Sequence, residues 1–206
     1  DRDPNLPGSV PLQKTASDIL GLDFKEVKPK LHFDREKRPI ESKYVTIGTA
    51  STSGCKEWEH KYWQSLVNSL IEMGYQVAVI QKTPTDLSGV LDWTGDFDLL
   101  ERMNQIYHSD FYIGLGSGIS WLAWAVEKHV FMIANFSEDG HEFTDNTTRI
   151  TNKSVCNSCW NNQNFKFDKG DWFWCPVHKG TPRQFECQKS ITPDMVLQKI
   201  KKYINE

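Results

Sequence analysis

Four cysteines in the last third of the chain have the residue type and spacing to hold a metal ion. Cys156-Asn157-Ser158-Cys159 sets two thiols across a two-residue turn. Fifteen residues separate Cys159 from Cys175, and eleven separate Cys175 from Cys187. Four thiolates form a closed tetrahedral shell suited to zinc or to a single iron. Cys175-Pro176-Val177-His178 offers an alternative, in which His178 replaces Cys187 in a site of three cysteines and one histidine. Two disulfides, or free buried thiols, are the remaining readings. The fifth cysteine, Cys55, stands alone.

Two loops could hold an anion. Thr49-Ala50-Ser51-Thr52-Ser53-Gly54 and Gly114-Leu115-Gly116-Ser117-Gly118 each lead from a strand pattern into a helix pattern. Hydroxyls and free N–H groups at a helix N-terminus attract phosphate. Lys56 adds a positive charge just after the first loop, and together these groups could hold a diphosphate. Small residues also simply permit tight turns. Asp92, Asp96 and Asp98 surround Trp93 and read as a solvated loop with a helix cap at Asp96. Glu138, Asp139, His141 and Glu142 crowd a loop after a strand, where they could meet a ribose or sugar hydroxyl. No Ser-His-Asp order and no paired-carboxylate motif stands out.

The elements that must position these groups alternate. Tyr44 to Gly48 is a buried strand candidate, and Tyr62 to Met73 carries apolar residues at helical spacing, closed by Gly74. Gln76 to Ile80 is the next strand. Asp98 to Tyr107 is a helix, Asp110 to Gly114 a strand, Ile119 to Val126 an apolar helix and Val130 to Ala134 a strand. Trp121 and Trp124, three apart on that helix, read as core. Such alternation predicts an α/β, Rossmann-like, mostly parallel sheet, with ligands beyond the carboxyl ends of its strands. A shorter helix is expected from Thr15 to Leu20, stopped by Gly21. Residues from 135 to Cys187 are rich in Asn, Trp, Phe and Cys and lack periodicity, so a cross-link is expected to supply what a core does not. Thr192 to Ile204 reads as a closing helix with Pro193 at its first position.

The chain has 206 residues, 38% of them hydrophobic, and a net charge of -3. That balance makes no electrostatic case for nucleic acid or an anionic membrane. No apolar run reaches the roughly 18 to 20 residues that span a bilayer. Asp1-Arg2-Asp3-Pro4 has no basic start, no apolar run and no methionine, so no secretory leader and a missing upstream domain are expected. A cytoplasmic, reducing setting follows, in which clustered cysteines more often bind metal than pair.

Several motifs coincide with a known family. Ile47-Gly48-Thr49 through Lys56-Glu57-Trp58, then Trp63, resembles the first strand-loop-helix of the nucleotide-sugar half of the family 9 heptosyltransferases. Asp110-Phe111-Tyr112-Ile113-Gly114-Leu115-Gly116-Ser117-Gly118-Ile119-Ser120-Trp121-Leu122-Ala123 resembles their second ligand loop. Cys156 to Trp160, Trp172 to Pro176 and Thr181 to Cys187 look like the four-cysteine iron finger of the bacterial autotransporter heptosyltransferases. Pro11 to Lys14 and Asp18 to Leu22 resemble that family's interdomain segment.

The resemblance implies the C-terminal half of a GT-B glycosyltransferase, binding a nucleoside-diphosphate sugar such as ADP-heptose for transfer to a protein or glycan hydroxyl. It implies an interdomain segment at 1–42, a Rossmann-like domain at 43–150, a cysteine finger at 151–190 and a packing helix at 191–206. By carry-over, Ser51, Thr52 and Lys56 meet the phosphates, and Ser117 and Gly118 meet the diphosphate or sugar. Cys156, Cys159, Cys175 and Cys187 hold iron, with zinc as the alternative. The wider family has Asp-Thr-Gly and a His in the second loop, where this chain has Gly116-Ser117-Gly118 and Ser120. The family's general base is an Asp of the acceptor-side domain, so this chain alone is expected to bind donor and to transfer poorly or not at all. A homo-oligomer or a separate N-terminal domain would complete it. The rival reading is a metal-stapled binding or assembly module with an aromatic surface at Trp160, Trp172, Phe173 and Trp174.

Overall fold

The computed structural model describes residues 11–168 and 170–206. The readings on Asp1 to Pro4, and the start of the 1–42 segment, lie outside the described residues.

The β1 strand (Tyr44–Gly48) is buried along its whole length, as expected of a central strand in a parallel sheet. The α2 helix (His60–Glu72) follows, with Trp63, Leu66, Val67 and Leu70 on its buried side. It ends at Gly74, whose φ of 87° is costly for a residue with a side chain. Next come β2 (Gln76–Val79), a two-residue β3 (Leu91–Asp92) and α3 (Leu99–Tyr107). The chain continues through β4 (Tyr112–Leu115), α4 (Gly118–Ala125), β5 (Val130–Ile133) and β6 (Thr147–Ile150). A one-turn α5 (Glu186–Lys189) precedes the closing α6 (Pro193–Asn205), and α1 (Leu12–Ile19) lies near the start.

The sheet order is β3-β2-β1-β4-β5-β6, and every pairing is parallel. The expectation of a mostly parallel sheet is met in full. Alternate residues of each strand serve opposite faces. Val45, Ile47, Val77, Val79, Ile113, Phe131 and Ile133 pack with α2 and α6. Tyr112, Val130 and Met132 pack with α3 and α4.

Several local readings change, and the two-residue β3 lies at Leu91–Asp92, where the sequence reads a solvated loop. The cap of α3 is Asp98, whose carboxylate accepts from Leu100 N at 2.8 Å. Asp96 is instead exposed, 3.5 Å from Lys82 Nζ. The α1 helix begins at Leu12, three residues before Thr15. The β6 strand was not expected, because Thr147, Thr148 and Arg149 are polar and half-buried. They form an edge strand, which needs only one partner. Trp124 is core, stacked on Phe143 at 5.1 Å, while Trp121 touches the same ring and also faces the cleft described next.

Candidate functional site

Strand order reverses between β1 and β4, which pair with Gly48 opposite Gly114. The two loops therefore leave the sheet side by side, at the position where open parallel sheets bind ligands. Both glycines serve that approach, since a β-carbon at either would strike Tyr112 Oη. Burial pushes the Tyr112 phenol up to about 12, so it stays neutral.

The first loop is held by a residue that the sequence did not flag. Gln81, just after β2, accepts at Oε1 from Thr49 N, Thr49 Oγ1 and Ala50 N, each at 2.9 Å. A single-turn 3-10 segment, Gly54–Lys56, then carries the lysine into the cleft. Lys56 Nζ donates to Gly116 O at 3.1 Å and lies 5.7 Å from the Phe136 ring centroid. The second loop delivers α4, whose capping residue Ser117 makes no side-chain bond to the first-turn amides.

These loops open on a cleft of about 330 Å³. Of the predicted phosphate ligands, Thr52 and Lys56 line it; Ser51 lies beside it, bonded through Oγ to Ser53 N. Ser117 and Gly118 follow directly on Gly116, which lines it. His141 and Glu142 line it too, whereas Glu138 and Asp139 pair with Lys153 at 3.3 and 3.6 Å. Glu142 belongs to a buried polar chain. Arg149 Nη2 donates to Ser137 Oγ at 2.7 Å, Ser137 Oγ donates to Glu142 Oε1 at 3.0 Å, and Arg149 Nη1 donates to Glu142 Oε2. His141 accepts from Trp160 Nε1 at 2.8 Å.

The far wall comes from the cysteine-bearing tail: Trp160, Phe167, Asp171 and Trp172. The tail grips the lysine loop at several points. Gly54 N donates to Trp172 O at 2.8 Å, and Gln188 Nε2 donates to Lys56 O. Gln188 Oε1 accepts from Asn135 N at 3.1 Å, and Asn135 Nδ2 donates to Cys187 O at 2.7 Å. No local sequence signal marks Gln188 or Asn135, because their partners are remote along the chain. The tail's aromatic surface divides: Trp174 is buried, Trp160 half-buried, and Trp172 and Phe173 are 61% and 59% exposed.

The N-terminal segment docks beside the cleft. Leu12 N donates to His141 O at 2.8 Å, and the Glu26 carboxylate accepts from Thr144 N and Asp145 N.

All five cysteines are unpaired thiols. Cys159, Cys175, Cys187 and also Cys55 line one small cavity of about 20 Å³. Burial pushes the Cys159 thiol up to about 12, and neighbouring Cys156, Cys187 and Cys175 push the same way. Cys187 likewise rises to about 12, chiefly through burial. Buried, crowded thiols resist ionisation; a divalent cation among them would reverse that. Thiolate is the donor type that a thiophilic metal takes, but Cys156 does not line this cavity, and the four predicted cysteines do not form one group of donor atoms within 4.8 Å of one another. Cys156, His178 and Glu186 also bring three donor atoms within 4.8 Å of one another. Within that group Glu186 lies 3.4 Å from His178 and accepts from Cys156 N, and outside it Glu186 pairs with Arg183 at 2.6 Å.

A parallel sheet in this order, with its cleft at the reversal of strand order, defines a Rossmann-like α/β domain. A model of glycosyltransferase family 9 (heptosyltransferase) matches residues 13–173. The chain belongs to that family. It is 39% identical to the autotransporter heptosyltransferase Aah of Escherichia coli, over 91% of this chain and 50% of that protein. The crystal structure of dodecameric iron-containing heptosyltransferase TibC, from enterotoxigenic E. coli H10407, in complex with ADP-D-beta-D-heptose, superposes with a TM-score of 0.87. It shares 37% identity and covers 94% of this chain and 54% of that one. The inactive autotransporter heptosyltransferase BimC of Burkholderia thailandensis is 32% identical, over 96% of this chain and 49% of that protein. The chain thus spans about half the length of these relatives. No helix among the described residues is long and apolar enough to cross a membrane.

Proposed function

We propose that this chain is the donor-binding half of a GT-B heptosyltransferase-like enzyme. It takes ADP-heptose or a close nucleoside-diphosphate sugar for transfer to a protein or glycan hydroxyl. The observation that carries this reading is the meeting of Lys56, from the first loop, with Gly116, at the mouth of α4, across the β1–β4 junction. Lys56 and the α4 amides would receive the diphosphate, with Thr52 beside them and Ser51, Ser117 and Gly118 at the margin. As the sugar departs, negative charge grows on the diphosphate, and a fixed ammonium and fixed N–H dipoles stabilise it. The base that deprotonates the acceptor belongs to the other half of the enzyme.

The same proposal gives the tail an iron ion, with zinc as the alternative, held by Cys156, Cys159, Cys175 and Cys187. The ion supplies a cross-link. The family resemblance favours an all-cysteine site over one using His178, and Glu186, the third member of the Cys156–His178 group, is already paired with Arg183. The divisions at 42, 150 and 190, a cytoplasmic setting and assembly into a homo-oligomer belong to this proposal as well.

A second reading, an assembly module without transfer activity, draws on exposed Trp172 and Phe173. Calorimetry separates the two. ADP should bind one site per chain, and Lys56→Met should weaken it at least tenfold. Absence of binding at millimolar ADP would remove the donor site and leave the module.

A further inference from the structure

Building on the donor-site reading, we propose that Glu142 is the specificity-determining residue for the donor sugar. Its carboxylate accepts hydroxyl groups of the polyol while Lys56, on the other side of Gly116, takes the diphosphate.

Glu142 is 7% exposed, and what it shows faces the cleft. Its ion-pair partner does not share that position: Arg149 lies behind it on β6 and lines no part of the cleft. The guanidinium approaches from that side, and the Ser137 hydroxyl, which itself lines the cleft, bridges the two; together they fix the carboxylate's orientation. A carboxylate offers about four acceptor positions. Ser137 and Arg149 contribute one close donor each to the pair of oxygens, which leaves acceptor capacity on the cleft side.

Gly116 makes room for this arrangement. A β-carbon at position 116 would lie 2.7 Å from Glu142 Oε1, so the carboxylate lies across the second loop where a side chain would otherwise stand. The carbonyl of the same glycine accepts from Lys56 Nζ at 3.1 Å. A fixed cation and a fixed anion thus flank one residue. That polarity suits a ligand with negative charge at one end and a neutral, hydroxyl-rich ring at the other. Arg149 already balances the Glu142 charge, so the carboxylate selects by its acceptor geometry: it takes hydroxyl donors and offers nothing to a second carboxylate. An acceptor-only group, oriented by buried donors, also discriminates against partners that lack a hydroxyl, because its capacity then goes unused in a water-poor site.

The test is calorimetry on the full chain with two probes, ADP and ADP-heptose. Glu142→Gln should weaken ADP-heptose by about 10- to 100-fold, the range for a lost charge-assisted hydrogen bond, while ADP affinity stays within about twofold. Equal loss for both probes would mean that Glu142 only holds the loop, and would overturn the proposal; so would no loss for either. Absence of ADP binding by the unaltered chain would instead refute the donor-site reading beneath it. Glu142→Asp gives a second route that keeps the charge, since the shorter side chain withdraws the carboxylate from the cleft. It should reproduce the selective loss of ADP-heptose, and failure to do so in a folded protein counts against Glu142.

Discussion

Replacing Gln188 with alanine probes the grip of the cysteine-bearing tail on the lysine loop. Its side chain is buried and spans two segments, donating to Lys56 O and accepting from Asn135 N at 3.1 Å. Truncation leaves that carbonyl and that amide without their partner. An orphaned buried polar group costs about 1–3 kcal/mol, so the pair predicts a loss of about 2–6 kcal/mol in unfolding free energy. The measurement is urea denaturation followed by tryptophan fluorescence, because Trp160, Trp172 and Trp174 lie in the tail. Lys56 should lose its fixed position as well, and ADP affinity should fall with stability. Gln188→Glu keeps the acceptor for Asn135 N but sets a carboxylate against the Lys56 carbonyl, so it should preserve the first contact and lose the second. A Gln188→Ala protein within about 0.5 kcal/mol of the parent, the size of a neutral surface change, would refute this account of the grip.

Two further outcomes follow. Burial holds His129 below its ordinary 6.5, in a neutral ring stacked on Tyr203 at 4.2 Å; His108 is lowered for the same reason. The unfolded chain then takes the proton first as pH falls, so stability is full above 6.5 and drains below it. The slope is at most about 1.4 kcal/mol per pH unit for each histidine. Urea midpoints from pH 7.5 to 5 should decline, and His129→Gln should flatten the decline; a level profile in the parent contradicts it. Metal removal is the second. A chelator under reducing conditions should free one ion per chain and expose four thiols to a thiol-reactive dye, with visible ferric-thiolate bands beforehand if the ion is iron. Equal thiol reactivity before and after chelation would eliminate the metal site.

Much of the sheet was legible because apolar residues recur at a clear period. Tyr44 to Gly48, Trp63 to Leu70 and Val130 to Ile133 could be read directly, and their alternation implied parallel strands. The β6 strand escaped because Thr147-Thr148-Arg149 pairs on only one side and carries little apolar signal. Asp96 and Asp98 are equally good capping types; which one serves depends on where the chain turns, and that is set by packing around Arg102 and Phe97. Lys56 and the two small-residue loops were visible as chemistry, but their meeting at Gly116 is a product of strand order. Gln81 and Gln188 were invisible, since an amide that braces a loop looks like any polar residue until its partners converge. The tail's contribution to the cleft wall was hidden for the same reason: Trp160 and Trp172 stand more than a hundred residues from Lys56 in the chain.

The most direct test of the central claim is a crystal of this chain with ADP. Diphosphate density should lie within hydrogen-bonding distance of Lys56 Nζ and the first amides of α4, over the β1–β4 junction. Clear nucleotide density at any other surface, with that junction empty, would contradict it.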